Sequence, residues 1–356
     1  MKKESAHKDG ILPAQDLAQL IAGGHVHARQ TDEPMLGRAF EPEIEAGQIQ
    51  PASLDLRLGT KAYRLRASFL PGEGRKVTDC LDTHLVMHEI DLTDSAVLET
   101  GCVYLVPLME SLQLPENISA RTNPKSSTGR LDVFTRVIAD GASQFETIDP
   151  GYTGPLYVEI APRTFSVLAR PGDRLVQIRF RRGIETVLHS QTVSIDLKGT
   201  GGDGIIGWRA RRHSGLVDIA GVGAHKAVDY WQPLHAPNGR LILDPEEFYI
   251  LASKESVTIP ENQAAEMAPI APEIGEFRAH YAGFFDPGFG LKQAGGAGSR
   301  AVLEVRGRDV PFMLRHRQAV AKLDFEAMSA VPENLYGTNG SHYQAQGLRL
   351  SKHFKL

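Results

Sequence analysis

The sequence is poor in cysteine and has no long hydrophobic run. Only two of its 356 residues are cysteines, Cys80 and Cys102, so neither a disulfide framework nor a zinc site built from cysteines alone is expected. No run of about 18 apolar residues could span a membrane. The charged segment 1–10 also lacks the apolar stretch of a signal peptide. We therefore expect a cytoplasmic protein without a membrane partner.

A basic excess is also missing. The formal net charge is −4, with 39 lysines and arginines against 43 acidic residues. Nucleic-acid-binding proteins usually carry a basic excess, so no nucleic-acid partner is expected. The charge balance still allows a local basic pocket for one polyphosphate ligand.

Helical patterning is scarce, whereas short alternating segments recur between turn residues. The chain has 35 glycines and 21 prolines. Apolar and polar residues alternate in 54–58 and 175–180, as they do in half-buried strands. One short helix candidate, 17–22, follows Asp16 and ends at Gly23 and Gly24. These patterns predict a mainly β protein of sandwich or jelly-roll type.

The second half of the chain repeats the first. Three segments recur in the same order, at offsets of 145, 137 and 145 positions: 104–117 as 249–262, 149–152 as 286–289, and 157–160 as 302–305. Loops tolerate insertions while strands keep their register, so a changed offset at a turn is compatible with a duplicated fold. We predict two copies of one β unit, residues 1–198 and 205–356.

A glycine-rich stretch, 198–204, lies between the two copies. Gly199, Gly201 and Gly204 have the spacing of a dinucleotide-binding loop, but such a loop must open a helix. No helical pattern follows, so we interpret the stretch as a flexible linker.

Five motifs in a fixed order carry a family resemblance. They are an early strand at 51–59, the turn 125–130 (Lys-Ser-Ser-Thr-Gly-Arg), the Asp-Pro-Gly segment 148–159, the strand 170–177 and the C-terminal segment 336–347. With these motifs the chain resembles the dCTP deaminases of the trimeric dUTPase superfamily. The resemblance implies two tandem dUTPase-like units, each a distorted β-barrel or jelly roll. It also implies hydrolysis of dCTP to dUTP and ammonia.

The same resemblance implies partners and a cofactor. Sites in this superfamily lie between neighbouring subunits of a trimer, so a homo-oligomer with threefold symmetry is expected. Mg²⁺ would arrive with the triphosphate and be held mainly by its oxygens. Zinc deaminases carry H-x-E and P-C-x-x-C motifs, and neither string occurs here, so no catalytic zinc is expected.

Glu159 is the candidate catalytic residue. It lies in the apolar segment 156–160, where a charge is costly unless it is paired or functional. Deamination needs a base for the water and an acid for the leaving ammonia, and one carboxyl group with a raised pKa can act as both. A solvent-facing strand glutamate is the alternative that this segment alone leaves open.

The turn at 125–130 combines side chains suited to phosphate. Ser126 and Ser127 offer hydroxyl groups, Arg130 offers a bidentate cation, and Lys125 offers a mobile charge. A polar turn with a serine helix cap is the alternative. The resemblance implies further substrate contacts: Asp149 to sugar and base, Tyr152 against the ring, the main chain of Tyr157 and Val158 to the base edge, and Gln177, Tyr336, His342 and Gln346 to the phosphates.

The second copy departs from the pattern at this turn. The offset of 145 maps the turn to residues without a side-chain donor: Ile270, Ala271, Pro272 and Gly275. We therefore predict that the second copy holds no complete site despite Glu304, and that it completes the oligomer and supplies the closing tail. His342 stands where the family usually has lysine, so phosphate affinity is expected to depend on pH near about 6–7.

Four functions remain open. The first is a dCTP deaminase that releases dUTP. The second also cleaves the triphosphate to give dUMP and pyrophosphate, since relatives of both kinds share these motifs. The third is a plain dUTPase, although the glycine-rich, phenylalanine-containing C-terminal motif of that family is absent. The fourth is a non-catalytic nucleotide-binding homologue, because the second copy has lost its phosphate turn.

Overall fold

Strands dominate the computed structural model, which describes residues 8–28, 43–199, 203–268, 277–280, 283–338 and 343–356. The strands before residue 183 are β1 (Gly10–Ile11), β2 (Val26–Ala28), β3 (Ile49–Gln50), β4 (Ser53–Leu56), β5 (Lys61–Leu65), β6 (Val86–Asp91), β7 (Ala96–Leu98), β8 (Val103–Gln113), β9 (Ile118–Pro124), β10 (Val133–Ala139), β11 (Thr147–Ile148), β12 (Thr153–Pro162), β13 (Val167–Ala169) and β14 (Val176–Arg182). The later strands are β15 (Val187–Ser194), β16 (Gly207–Ala210), β17 (Val217–Asp218), β18 (His225–Lys226), β19 (Trp231–Leu234), β20 (Arg240–Leu243), β21 (Phe248–Val257), β22 (Gln263–Ala268), β23 (Phe277–His280), β24 (Phe284–Phe285), β25 (Ser299–Gly307), β26 (Phe312–Arg315), β27 (Ala319–Ala327) and β28 (Phe354–Lys355). The prediction of a mainly β protein is confirmed.

Helices are few and short. Those in the described ranges are α1 (Ala14–Ala22), α2 (Ser126–Gly129) and α3 (Ala227–Tyr230), with 3₁₀ turns at Ala46–Gln48, Val77–Cys80 and Lys292–Ala294. Helix α1 contains the predicted segment 17–22, buries Leu17 and Leu20, and ends at Gly23. Within the described ranges, no helix is long and apolar enough to cross a membrane.

In the described residues, the first unit contains two six-stranded sheets that share one core, and its strands β7 and β13 form a third sheet with β17 of the second unit. One sheet has the order β11-β9-β14-β4-β3, with β1 paired to β14. The other has the order β10-β12-β8-β5-β6, with β2 paired to β8. The shared core includes Leu56, Val106, Val158 and Ile178. The alternating segments of the sequence thus form β4 and β14, which lie side by side.

The register of paired strands shows the internal repeat directly. In the first copy β8 pairs with β12, and Leu105 lies opposite Glu159. In the second copy β21 pairs with β25, and Ile250 lies opposite Glu304. Each residue of the second pair follows its counterpart by 145 positions. The two copies therefore share one strand register.

The second unit begins earlier than the predicted boundary. Its main sheets have the orders β15-β27-β22-β24 and β19-β16-β21-β25-β23, and the pairs β18-β28 and β20-β26 complete it. Strand β15 pairs with β27, and Val193 and Ile195 lie in the second core. The sheets therefore separate between β14 and β15, whereas the predicted linker lies at 198–204. Residues 200–202 of that linker lie outside the described residues.

Buried charges join the two units. Arg179 of β14 donates a hydrogen bond of 2.9 Å to Asp286, and Arg181 of the same strand pairs with Glu326 of β27. Strand β13 also pairs in parallel with β17 across the two units. These contacts join β13 and β14 of the first unit to the second unit.

Candidate active site

A cavity of about 320 Å³ lies between the two units. From the first copy it receives Gln50, Asp55, Lys125, Ser126, Ser127, Arg130 and Gln177. From the second copy it receives Met267, Gly283, Phe284, Phe285, Asp286, Phe289, Val302 and Glu304. The C-terminal segment adds Tyr336, Tyr343, Gln346 and Lys352. The site is therefore a composite of both copies.

The turn at 125–130 forms the wall from the first copy. Lys125 precedes helix α2, and its N–H donates to the Leu175 carbonyl at 2.9 Å. The Thr128 hydroxyl donates to the same carbonyl at 2.7 Å, which fixes the turn beside β14. The side chains predicted to bind phosphate then face one space: Ser126, Ser127 and Arg130.

Arg130 connects this turn to the second copy and to the tail. Its Nη2 donates to Gln346 Oε1 and its Nη1 to the Arg349 carbonyl, each at 3.0 Å. Its guanidinium lies 4.0 Å from the centroid of the Tyr343 ring. Its Nε lies 3.7 Å from Glu304 Oε1. These contacts hold a buried positive charge at the centre of the site.

Glu304 places a buried carboxyl group beside that charge. It lies on β25 and is 5% exposed. Burial raises the pKa of Glu304 to about 8, while the charge of Arg130 acts in the opposite direction. A carboxyl group that titrates near neutral pH can accept and return a proton within one reaction cycle.

The second copy also brings its Asp-Pro-Gly turn to the cavity. Gly288 has a φ of 94°, a left-handed conformation that favours glycine. Asp286 accepts the hydrogen bond from Arg179, and burial raises the pKa of the Asp286 carboxyl despite that cation. Phe289 packs edge-on against Phe285, with ring centroids 5.1 Å apart. A polar acceptor beside aromatic rings suits the sugar and base of a nucleoside.

The structure separates the predicted site residues into two groups. Those that line the cavity are Lys125, Ser126, Ser127, Arg130, Gln177, Tyr336 and Gln346. Those that do not are Asp149, in an exposed turn, Tyr152, whose hydroxyl donates to the Pro155 carbonyl at 2.6 Å, and Tyr157 and Val158, which are buried in hydrophobic clusters. His342 and the second-copy turn at 270–275 lie outside the described residues.

Glu159 is also absent from the cavity lining. It is buried on β12, where its Oε1 accepts hydrogen bonds of 2.6 and 3.1 Å from Arg136. The Arg136 guanidinium lies 3.6 Å from the centroid of the Phe145 ring. The geometry therefore favours Glu304 over Glu159 as the carboxyl group of this cavity. The second copy thus contributes to the site itself, in addition to the structural role expected for it.

The cavity residues from the second copy are counterparts of those predicted from the first. The repeat relates Asp149 to Asp286, Tyr152 to Phe289, Tyr157 to Val302, and Glu159 to Glu304. The cavity thus contains the second-copy counterparts of four residues predicted in the first copy, and the residue type is kept at the aspartate and the glutamate. The repeat, combined with the expectation that sites lie between neighbouring subunits of a trimer, was the signal that could have located them, because a second copy can take the place of a neighbouring subunit.

Other cavity residues had no assigned role. Asp55 of β4 forms an ion pair with Lys125. It lies within the early motif at 51–59, which gave no reason to single it out. Tyr343 contacts Arg130, and Lys352 lies on the tail beyond the last motif. A lone lysine near a chain end carries no sequence signal of its own.

The fold and the cavity define a class: a mainly β enzyme whose composite site combines a cationic turn with a buried carboxyl group. Two family models cover the chain almost throughout. The N-terminal domain of 2'-deoxycytidine 5'-triphosphate deaminase matches residues 8–184, and the C-terminal domain of the same family matches residues 173–354. The chain belongs to the dCTP deaminase family.

Solved and curated relatives agree with this assignment. The crystal structure of 2'-deoxycytidine 5'-triphosphate deaminase from Agrobacterium tumefaciens matches with a TM-score of 0.83 and 51% identity, over 90% of this chain and 99% of that one. The dUMP-forming dCTP deaminase of Dictyoglomus thermophilum is 27% identical over 175 residues, which are 48% of this chain and 79% of that protein. The dUMP-forming dCTP deaminase of Beutenbergia cavernae is 32% identical over 152 residues, 41% of this chain and 72% of that protein.

Proposed function

We propose that the protein hydrolytically deaminates dCTP, with Glu304 as the carboxyl group that transfers protons. The observation that best supports this is the position of Glu304. Its buried carboxyl lies 3.7 Å from Arg130 of the phosphate turn, in a cavity that also contains Asp286 and Phe289. Membership of the dCTP deaminase family supports the choice of substrate.

In the proposed reaction, ionised Glu304 removes a proton from a water molecule as the water oxygen attacks C4 of the cytosine ring. The protonated carboxyl gives this proton to ring N3. Glu304 then carries the remaining hydroxyl proton to the amino group, and ammonia leaves as the C4 carbonyl forms. The products are dUTP and ammonia, and Glu304 ends the cycle ionised. A pKa of about 8, raised by burial, suits both transfers.

The triphosphate is proposed to bind at the turn, with Ser126, Ser127 and Arg130 around it and Gln177, Tyr336 and Gln346 nearby. The carboxylates that line the cavity each face a cation already: Asp55 with Lys125, Asp286 with Arg179, and Glu304 with Arg130. This donor set is poorly suited to a protein cage for Mg²⁺. We therefore expect Mg²⁺ to be held mainly by the triphosphate oxygens.

Glu304→Gln tests the assignment, because it keeps the shape of the side chain and removes its proton exchange. We expect kcat for ammonia release from dCTP with Mg²⁺ to fall about 10²- to 10⁴-fold, while dCTP binding measured by calorimetry persists. Glu159→Gln is the matched control from the first copy and should keep most of the activity. Full activity in folded Glu304→Gln, or an equal loss in folded Glu159→Gln, would contradict the proposal.

A second candidate product is dUMP. The relatives from Dictyoglomus thermophilum and Beutenbergia cavernae are both named dUMP-forming. The same site would then also cleave the triphosphate and release diphosphate. Chromatography at early times separates the two: dUTP as the first product supports the simple deaminase, and dUMP without prior dUTP supports the bifunctional enzyme. Binding of dCTP without turnover would favour a non-catalytic homologue.

We further propose that the protein acts on free nucleotides in the cytoplasm as a homo-oligomer. Strand β15 lies at the edge of its sheet in the described part of the chain. Val187 and Leu188 on this strand are 46% and 50% exposed, and nearby Ile184 is 86% exposed. An apolar sheet edge favours contact with another subunit. Light scattering after size-exclusion chromatography should give a threefold assembly.

A further inference from the structure

Lys352 lies where the phosphate turn meets the C-terminal tail. Its side chain lines the main cavity and also an adjoining cavity of about 270 Å³. Lys125 and Ser127 line both cavities, whereas Asp286 and Glu304 line only the main one. Lys352 therefore belongs to the end of the site that is distant from the proposed base-binding residues.

The backbone that carries Lys352 is fixed on both sides. The Lys352 N–H donates to the Tyr343 hydroxyl at 3.1 Å. The Ser351 hydroxyl donates to the Ser127 carbonyl at 2.8 Å, which ties the tail directly to the phosphate turn. His353, on the other side, forms a hydrogen bond of 2.9 Å with a main-chain carbonyl of the second copy. These hydrogen bonds fix the position of the backbone from which the Lys352 side chain extends.

The charge of Lys352 lacks a direct counter-charge. Lys125 forms an ion pair with Asp55, and Arg130 faces Glu304, but Lys352 forms no ion pair with the residues that the structure describes. Burial lowers the pKa of the Lys352 ammonium and the charge of Lys125 lowers it further, whereas the more weakly acting charges of Asp55 and Asp173 raise it. A partly buried ammonium without a partner is costly, and a bound anion would offset that cost.

We propose that Lys352 binds the phosphates of the substrate that lie farthest from the base, and so selects nucleoside triphosphates over monophosphates. This inference rests on the proposed function, since it takes dCTP as the ligand of the main cavity. The anchored backbone strengthens the contact, because little conformational freedom is lost when the phosphate binds.

Substitutions at this one position test the proposal. For Lys352→Gln we expect Kd and KM for dCTP to rise about 10- to 100-fold, the effect of losing one charge-assisted hydrogen bond. We expect kcat to change little, because the contact is the same in the ground and transition states. Binding of dCMP should be unchanged. Lys352→Arg should keep triphosphate binding. If Lys352→Gln fails to fold, Lys352→Met takes its place in the test, because methionine retains the apolar stem of lysine and lacks the charge.

Inorganic tripolyphosphate provides a readout that does not depend on deamination. Calorimetry should show weaker tripolyphosphate binding to Lys352→Gln than to wild type, and no change for Lys355→Gln, which removes a charge from an exposed tail position. The inference would be overturned if folded Lys352→Gln bound tripolyphosphate and dCTP as tightly as wild type does. It would also be overturned if the variant lost as much affinity for dCMP as for dCTP. If wild type releases no ammonia yet its tripolyphosphate binding depends on Lys352, the proposed function fails and the phosphate site stands.

Discussion

Two glutamates occupy equivalent positions on β12 and β25 but have different neighbours. Glu159 is 1% exposed and Glu304 is 5% exposed, so burial alone does not separate them. Glu159 accepts two hydrogen bonds from Arg136, whereas Glu304 lies 3.7 Å from Arg130 inside a cavity. The first carboxylate is paired with Arg136 through one oxygen and does not line the cavity. The second has space beside it for a substrate.

The raised pKa of Glu304 predicts how activity depends on pH. Because burial raises this pKa to about 8, the carboxyl is protonated below that pH and ionised above it. The ionised form accepts the proton of water, so kcat/KM for dCTP should increase with pH and level off above about 8. Ammonia release at sub-saturating dCTP, measured between about pH 6 and about pH 9.5, gives the profile. A profile already flat at the acidic end would place the required ionisation on another group.

At the scale of single elements, local sequence patterns located strands and a helix, but not which strands pair with each other. The alternating segments form β4 and β14, but these strands are buried on both faces and not half-buried as predicted; the predicted helix lies within α1. The helix begins three residues earlier than predicted. Ala14 and Gln15 in its first turn bury no large apolar side chain, so the apolar pattern does not reveal this turn. Strand β15 was assigned to the first unit because its partner, β27, lies far away in sequence. Alternation indicates a strand, but neither its pairing partner nor the second unit that can cover its polar face.

The C-terminal strand β28 is held by an aromatic cluster. The ring of Phe354 lies 5.2 Å from Tyr230, 5.6 Å from Trp231 and 6.0 Å from Phe165. Phe354→Ala should lower the free energy of unfolding by about 3 kcal/mol, because it leaves a cavity in this cluster. It should also raise KM for dCTP, since the same tail segment is tied to the phosphate turn. Urea denaturation and steady-state kinetics measure the two effects.

Leu356→Ala is the control for this prediction. Leu356 is two residues away and 78% exposed, so its truncation should change stability very little. An unfolding free energy of Phe354→Ala equal to that of wild type would show that the tail is not part of the folded core.

At the scale of the whole molecule, both units of one chain line the cavity, so the proposed site lies within a single chain, and a mixing experiment tests this. Arg130→Met removes the cation of the first unit, and Glu304→Gln removes the carboxyl of the second. Each variant alone should be nearly inactive. When the two are co-expressed with different tags and purified as mixed oligomers, we expect no activity beyond their sum, since no chain carries both groups. Recovery of activity in the mixed oligomers would show that sites form between chains.

The sequence revealed the duplication but not the way in which the two units interlock. The repeat offsets predicted two units, and the family motifs predicted a phosphate-binding turn at 125–130 and a catalytic glutamate, for which the cavity lining favours Glu304. In the sequence, however, Arg179 and Arg181 are indistinguishable from ordinary strand charges. Their buried partners, Asp286 and Glu326, are more than 100 residues away. Such pairings depend on how two folded sheets pack together, and a short segment of sequence carries no information about that packing.

The shared cavity also constrains the history of the chain. In the proposed site each half supplies what the other lacks: positions 270–275 of the second half lack the serines and arginine of the turn at 125–130, and Asp149 and Glu159 of the first half do not line the cavity. A single substitution would therefore not give either half a complete site of its own. The two units thus depend on each other for the proposed chemistry, and separating them into two proteins would leave both without a site.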